Sequence, residues 1–154
     1  MNAYVLDTSA LIGAWVRTYP PANFPNFWDN LDATAQQGRI VVPEEVVTEL
    51  RAKQDELLTW VRDREEWLKM PTTRAVMAKT RTVLREHPGL TQPGTGRGRA
   101  DPFVIATAWE LGMTVVTEER GGSEAKPKIP SVCKSLDIDC VAVVDLIRRE
   151  GWTF

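Results

Sequence analysis

Four short, mostly apolar runs, Ala3 to Leu6, Ile40 to Val42, Met113 to Val116 and Ile138 to Val144, the first wholly without polar alternation, punctuate a chain whose other apolar residues repeat at helical spacing. A strand with one solvated face alternates apolar and polar residues, whereas a strand covered on both faces does not. Buried strands separated by helices point to a parallel sheet with right-handed crossovers. The expected fold class is therefore α/β, with four or five parallel strands.

The helical segments carry readable ends. Asp7, Thr8 and Ser9 are helix-capping residue types and lead into a stripe of Leu11, Ile12, Trp15 and Val16. Phe24, Phe27, Trp28, Leu31 and Ala35 form a second stripe, which Gly38 ends, and Pro43 suits the first turn of a helix carrying Val46, Val47 and Leu50. Residues 53–86 hold two further stripes, Leu57, Trp60, Val61 and Leu68, then Val76, Met77, Thr80, Val83 and Leu84, split at Pro71. They are expected as a helical arm or hairpin. His87 to Arg99 reads as loop. Asp101 followed by Pro102 starts a helix that is apolar on nearly every face as far as Leu111, as a central helix would be. A short helix is expected over Pro130 to Leu136 and a basic terminal helix over Leu146 to Glu150. With no repeat and no linker, residues 1–154 read as a single domain.

Composition narrows the function. The 19 Lys and Arg against 21 Asp and Glu give a net charge of −2, so any contact with nucleic acid must be local or metal-mediated. Cys133 and Cys140 fall in apolar stretches with only His87 to join them, which argues for buried free thiols and against zinc. No apolar run approaches the ~20 residues that span a bilayer, and a cytoplasmic location is expected.

Four acids stand where a strand ends or a nearby helix begins: Asp7, Glu49, Asp101 and Glu119. Asp7 follows the first strand and Glu119 the third. The helix that Asp101 opens runs antiparallel to the strands, so its amino end lies at the same rim. Glu49 is set back by roughly 9 Å at ~1.5 Å per residue, and must reach the rim by angling its side chain toward the amino end of its helix. Carboxylates gathered this closely need a counter-charge, and hard oxygen ligands in small number suit Mg²⁺ or Mn²⁺. Such a cluster is expected to serve metal-dependent phosphodiester cleavage. Each acid also has a plainer role: Asp7 and Asp101 as caps, Glu49 as the i,i+4 partner of Lys53, Glu118 and Glu119 as solvated loop charges.

The segments Val5-Leu6-Asp7-Thr8-Ser9-Ala10-Leu11-Ile12, Val42-Pro43 leading to Glu49-Leu50, Arg99-Ala100-Asp101-Pro102-Phe103-Val104-Ile105-Ala106-Thr107-Ala108, and Val115-Val116-Thr117-Glu118-Glu119 resemble, in this order, the motifs of PIN domains. The resemblance implies a three-layer α/β/α sandwich acting as a Mg²⁺- or Mn²⁺-dependent endoribonuclease, most often the VapC-type toxin of a bacterial toxin–antitoxin pair. By position, Asp7, Glu49 and Asp101 match the acidic metal site, Glu119 matches a fourth acid that is usually Asp, and Ser9 and Thr117 match supporting hydroxyls. Tyr19-Pro20 with Phe24-Pro25 and Phe27-Trp28 is similar to a less characterised PIN subfamily. The partners implied are an RNA substrate, an antitoxin protein and a second copy of the chain, with no membrane.

Other features carry less. Gly94, Gly96 and Gly98 with Arg97 and Arg99 suggest a flexible basic loop gripping RNA phosphates, or a surface loop without a role. Lys126 and Lys128 follow the Glu119 loop and are candidates for phosphate contact. Trp15, Trp28, Trp60 and Trp109 sit in or beside apolar stripes, which favours core packing over base stacking. A phosphotransfer domain of the receiver kind would need a second acid near the first strand and a late lysine, and one of the haloacid-dehalogenase kind a second Asp where Ser9 stands. Two alternatives to a toxin nuclease stay open: a catalytically silent protein-binding module, and an RNA-processing nuclease outside a toxin–antitoxin pair.

Overall fold

The computed structural model describes residues 1–53, 55–92 and 98–154, so Gly94, Gly96 and Arg97 of the expected basic loop lie outside the described residues. In chain order the elements are β1 (Tyr4–Leu6), α1 (Thr8–Gly13), a turn of π-helix (Ala14–Thr18), α2 (Pro25–Gln36), β2 (Ile40–Pro43), α3 (Glu44–Arg51), α4 (Asp55–Arg62), α5 (Glu65–Leu68) and β3 (Lys69–Met70). Then follow α6 (Arg74–Glu86), a 3-10 turn (Pro88–Leu90), α7 (Asp101–Leu111), β4 (Thr114–Val116), α8 (Ile129–Ser135), β5 (Cys140–Val141) and α9 (Val143–Glu150).

All strand pairs are parallel and the order is β3-β2-β1-β4-β5. Tyr4 is in register with Ile40 on one side and Thr114 on the other, and Leu6 with Val116. The chain winds outward from β1 through β2 to β3, then returns past β1 to build β4 and β5. Right-handed crossovers in opposite directions place the two groups of helices on opposite faces of the sheet. The packing agrees: α1 meets α3 and α2 meets α5, whereas α7 runs under β1, β2 and β4 and contacts α6 and α8. These are the three layers expected. All of Tyr4, Val5 and Leu6 are buried, as a strand covered on both faces must be.

Residues 53–86 are largely helical, and they are folded onto the sheet. Helix α4 packs on α3, α5 on α2 and α6 on α7, while Lys69 and Met70 pair with Val42 and Pro43 as a fifth strand. A two-residue edge strand has no periodicity to read, which is why it was invisible in the sequence. The apolar run Ile138 to Val144 supplies only Cys140 and Val141 to the sheet. Asp145 turns back to accept from Ala142 N at 3.1 Å, which closes the first turn of α9 and takes Val143 and Val144 into the helix.

Tryptophans build the layer beside α2. Trp15 and Trp60 meet Trp28 edge to face at 4.8 and 5.0 Å, Trp152 meets Phe27 at 5.8 Å, and Trp28 Nε1 donates to the Tyr19 carbonyl at 2.7 Å. That bond ties the Tyr19-Pro20 segment to the core. Trp109 lies under the Lys79 ammonium. Cys133 is buried and Cys140 half-buried, and both thiols are free. Among the described residues no helix is long and apolar enough to cross a membrane.

Candidate active site

Strands β1 and β4 are neighbours at the point where the winding reverses, and in such sheets the crevice beyond their carboxyl ends is the ligand site. A cleft of about 510 Å³ opens there, lined among others by Asp7, Glu49, Asp101 and Glu119. All four candidate acids share it.

Asp7 leaves β1 and caps α1, accepting from Ala10 N at 2.8 Å. Its cap role and its place in the cleft coexist. Thr117 Oγ1 donates to its Oδ2 at 2.6 Å, and Ser9 Oγ lies 2.9 Å from both oxygens. Only 2% of Asp7 is exposed. Burial pushes its pKa up to about 7; the Thr117, Ala10 and Ser9 donors oppose the rise and the Glu119 charge adds to it.

Asp101 opens α7, but it is not a cap, for the cap position belongs to Ala100 and no side chain bonds there. Its pKa rises to about 8, first through burial, then through the charges of Glu119, Asp7 and Glu49, with Lys53 opposing. Gly98, at φ +71°, makes room for it: a Cβ there would stand 2.9 Å from the Leu90 carbonyl oxygen and 3.2 Å from Asp101 Oδ2.

Glu49 reaches the cleft because Val46, Val47 and Leu50 bury the other face of α3, which packs against α1. Thr8 Oγ1 then donates to its Oε1 at 2.7 Å. Of the two adjacent glutamates after β4, Glu119 lines the cleft, its Oε2 accepting from Ile129 N at 3.4 Å. Glu118 faces elsewhere and accepts from Val143 N at 3.0 Å, at the start of α9. Ser9 and Thr117 bind the two segments together: Glu118 N donates to Ser9 Oγ at 3.1 Å and Glu119 N to Thr117 Oγ1 at 3.0 Å.

Among the described residues no group of three or more His, Cys, Asp or Glu side chains stands in an arrangement that could hold a metal ion. Three of the carboxylates that share the cleft, Asp7, Glu49 and Glu119, accept from separate donors. The donor chemistry nevertheless fits a hard divalent ion. The acids offer only oxygens, and burial together with the neighbouring carboxylates raises the pKa values of Asp7 and Asp101, so a cation placed among them would be favoured electrostatically. Lys128 lines the cleft and Lys126 does not; Lys53 lines it too, with no ion pair to Glu49 of the kind its i,i+4 spacing suggested among the described residues, and so does Arg17. Arg17 gives no signal there, because it sits on the polar side of an ordinary-looking helical stripe.

The family described as "Domain of unknown function (DUF4411)" matches residues 4–154. The chain belongs to the DUF4411 family. Among solved structures, FitAcB from Neisseria gonorrhoeae covers 90% of this DUF4411 chain and 96% of its own, with 17% identity and a TM-score of 0.51. VapBC2 from Rickettsia felis, bound to a DNA fragment from their promoter, covers 91% and 98%, with 16% identity and a TM-score of 0.54. No curated protein matches the sequence. The likeness is one of fold, and the fold is the PIN-like sandwich that the ordered motifs implied.

Proposed function

We propose that this DUF4411 protein is a Mg²⁺- or Mn²⁺-dependent endoribonuclease that hydrolyses RNA phosphodiester bonds, acting as the toxin of a toxin–antitoxin pair. The observation that carries the reading is the meeting of four acids, from four separate segments, in one cleft at the switch point of the sheet. Asp7 and Asp101 would be the principal ligands, with Glu49 and Glu119 completing the shell directly or through water.

When bound, the cation would neutralise these carboxylates and acidify a coordinated water toward hydroxide. The chain's own part is positional. Thr117, Ser9 and Ala10 N favour the ionised form of Asp7 and hold it in one orientation, and Gly98 lets the backbone pass close to Asp101. The hydroxyl of Thr8 fixes the reach of Glu49.

The order of the motifs and the likeness in fold to VapBC2 support the toxin role and a protein antitoxin. The test is cleavage of a labelled RNA by purified protein with Mg²⁺, with Mn²⁺ and with EDTA, beside the Asp7→Asn and Asp101→Asn proteins. Metal-dependent cleavage lost in both variants is expected. If RNA survives in every arm, the nuclease reading falls and the silent protein-binding module takes its place. Growth arrest relieved by a small neighbouring reading frame would separate the toxin from an RNA-processing enzyme.

A further inference from the structure

Among the described residues three cations border the acidic cleft: Arg17 on the π-helical turn, Lys53 just after α3 and Lys128 just before α8. All three are exposed, and none takes part in an ion pair among the described residues. Cations whose task was to neutralise Asp7, Glu49, Asp101 or Glu119 would be expected within 4 Å of them. These stay in solvent at the mouth, where an entering polyanion would meet them first.

Arg17 shows the most deliberate placement. The helix after Asp7 widens from α to π at Ala14, and Tyr19 N donates to the Ala14 carbonyl five residues back at 2.8 Å. Such turns are rare inside α-helices and are frequently found at functional sites. Here the guanidinium lies back along the helix over Gly13, so that a Cβ on Gly13 would stand 3.1 Å from Arg17 Nη2. Gly13 itself lines the cleft. The missing side chain leaves open the path by which Arg17 reaches back toward the rim.

We propose that Arg17, Lys53 and Lys128 form a cationic rim that grips the phosphates on either side of the scissile one and so seats single-stranded RNA across the acidic centre. The inference rests on the nuclease reading above and names how that site takes its substrate. Arg17 offers planar, bidentate donors to phosphate, whereas the two lysines act as point charges. Ile12, Leu90 and Pro127 give the same cleft an apolar wall against which a nucleotide base can rest. A net charge of −2 gives RNA no global attraction, and this local rim supplies positive charge beside the site.

The test uses a fluorescent single-stranded oligoribonucleotide and the Asp7→Asn protein, which binds without cutting, followed by anisotropy over a range of salt concentrations. Adding Arg17→Gln, Lys53→Gln and Lys128→Gln together is expected to weaken binding at least tenfold. It should also flatten the plot of log K against log salt by about 0.7 for each phosphate no longer neutralised. Arg17→Gln alone, with the acids intact, should raise KM more than it lowers kcat, and Arg17→Lys should restore part of the deficit. An unchanged affinity and salt slope in the triple variant overturns the rim, as does a parent protein that binds no oligoribonucleotide at low salt. Rim-dependent binding by a protein that never cleaves would instead uphold the rim and defeat the nuclease reading, so the two failures are distinct.

Discussion

Thr117 Oγ1 donates a 2.6 Å hydrogen bond to Asp7 Oδ2 although 110 residues separate them in the chain. The bond follows from strand register: Leu6 lies opposite Val116, so the next residue on each strand emerges at the same rim. It gives the most buried acid of the cleft a donor that favours its ionised form. The same threonine accepts from Glu119 N, which orients the loop carrying the fourth acid.

Replacing Asp7 by Asn should abolish cleavage, because the principal carboxylate is gone. The fold should not suffer. Asn still accepts from Ala10 N as a cap, and the buried charge at this 2% exposed position is removed. Thermal melts in EDTA at pH 8 are expected to show the variant at least as stable as the parent. A much lower melting temperature would mean that Asp7 is chiefly structural.

The pKa values of about 7 for Asp7 and about 8 for Asp101 lie above the 3.8 of an unperturbed aspartate. Between roughly pH 4 and 8 the folded, metal-free protein therefore holds more protons than the unfolded chain, and stability must fall as pH rises. For Asp7 the loss is about 4 kcal/mol, complete above pH 7. Urea unfolding in EDTA should show this decline and Asp7→Asn should flatten it by about one proton. Since protons and cation compete for the same oxygens, Mn²⁺ should raise the melting temperature far more at pH 8 than at pH 5.

Glu118 and Glu119 are neighbours with separate tasks. Glu119→Gln is expected to cut kcat/KM by tenfold or more, because that side chain lines the cleft. Glu118→Gln should leave most of the activity and lower stability by about 1 kcal/mol, because its carboxylate holds Val143 N at the start of α9. Steady-state cleavage and melting of the two variants decide the assignment.

Gly98→Ala should damage both fold and function. The residue sits at φ +71°, and the added methyl would meet the Leu90 carbonyl oxygen at 2.9 Å and Asp101 Oδ2 at 3.2 Å. A drop of about 1–3 kcal/mol is expected from strain alone. Displacement of Asp101 should lower metal affinity as well, measurable by Mn²⁺ titration.

What the sequence determined by itself was whatever depends on local backbone physics. Short, mostly apolar runs gave the buried strands, Asp-Thr-Ser and Asp-Pro marked where α1 and α7 begin, and strand and helix direction sent Asp7, Asp101 and Glu119 to one rim. Tertiary structure alone decided how the side chains at that rim are used. Which of Glu118 and Glu119 enters the cleft turns on Ile129 and Val143, more than a few residues away in the chain, and Glu49 is held by Thr8 across 41 positions. The two-residue strand β3 exists only because Val42 and Pro43 offer it an edge, and Arg17 lines the cleft from a π-helical turn that no periodicity marks. Periodicity reports which face of an element is dry. The orientation of a polar side chain at an element's end depends on a partner that only the folded chain brings near.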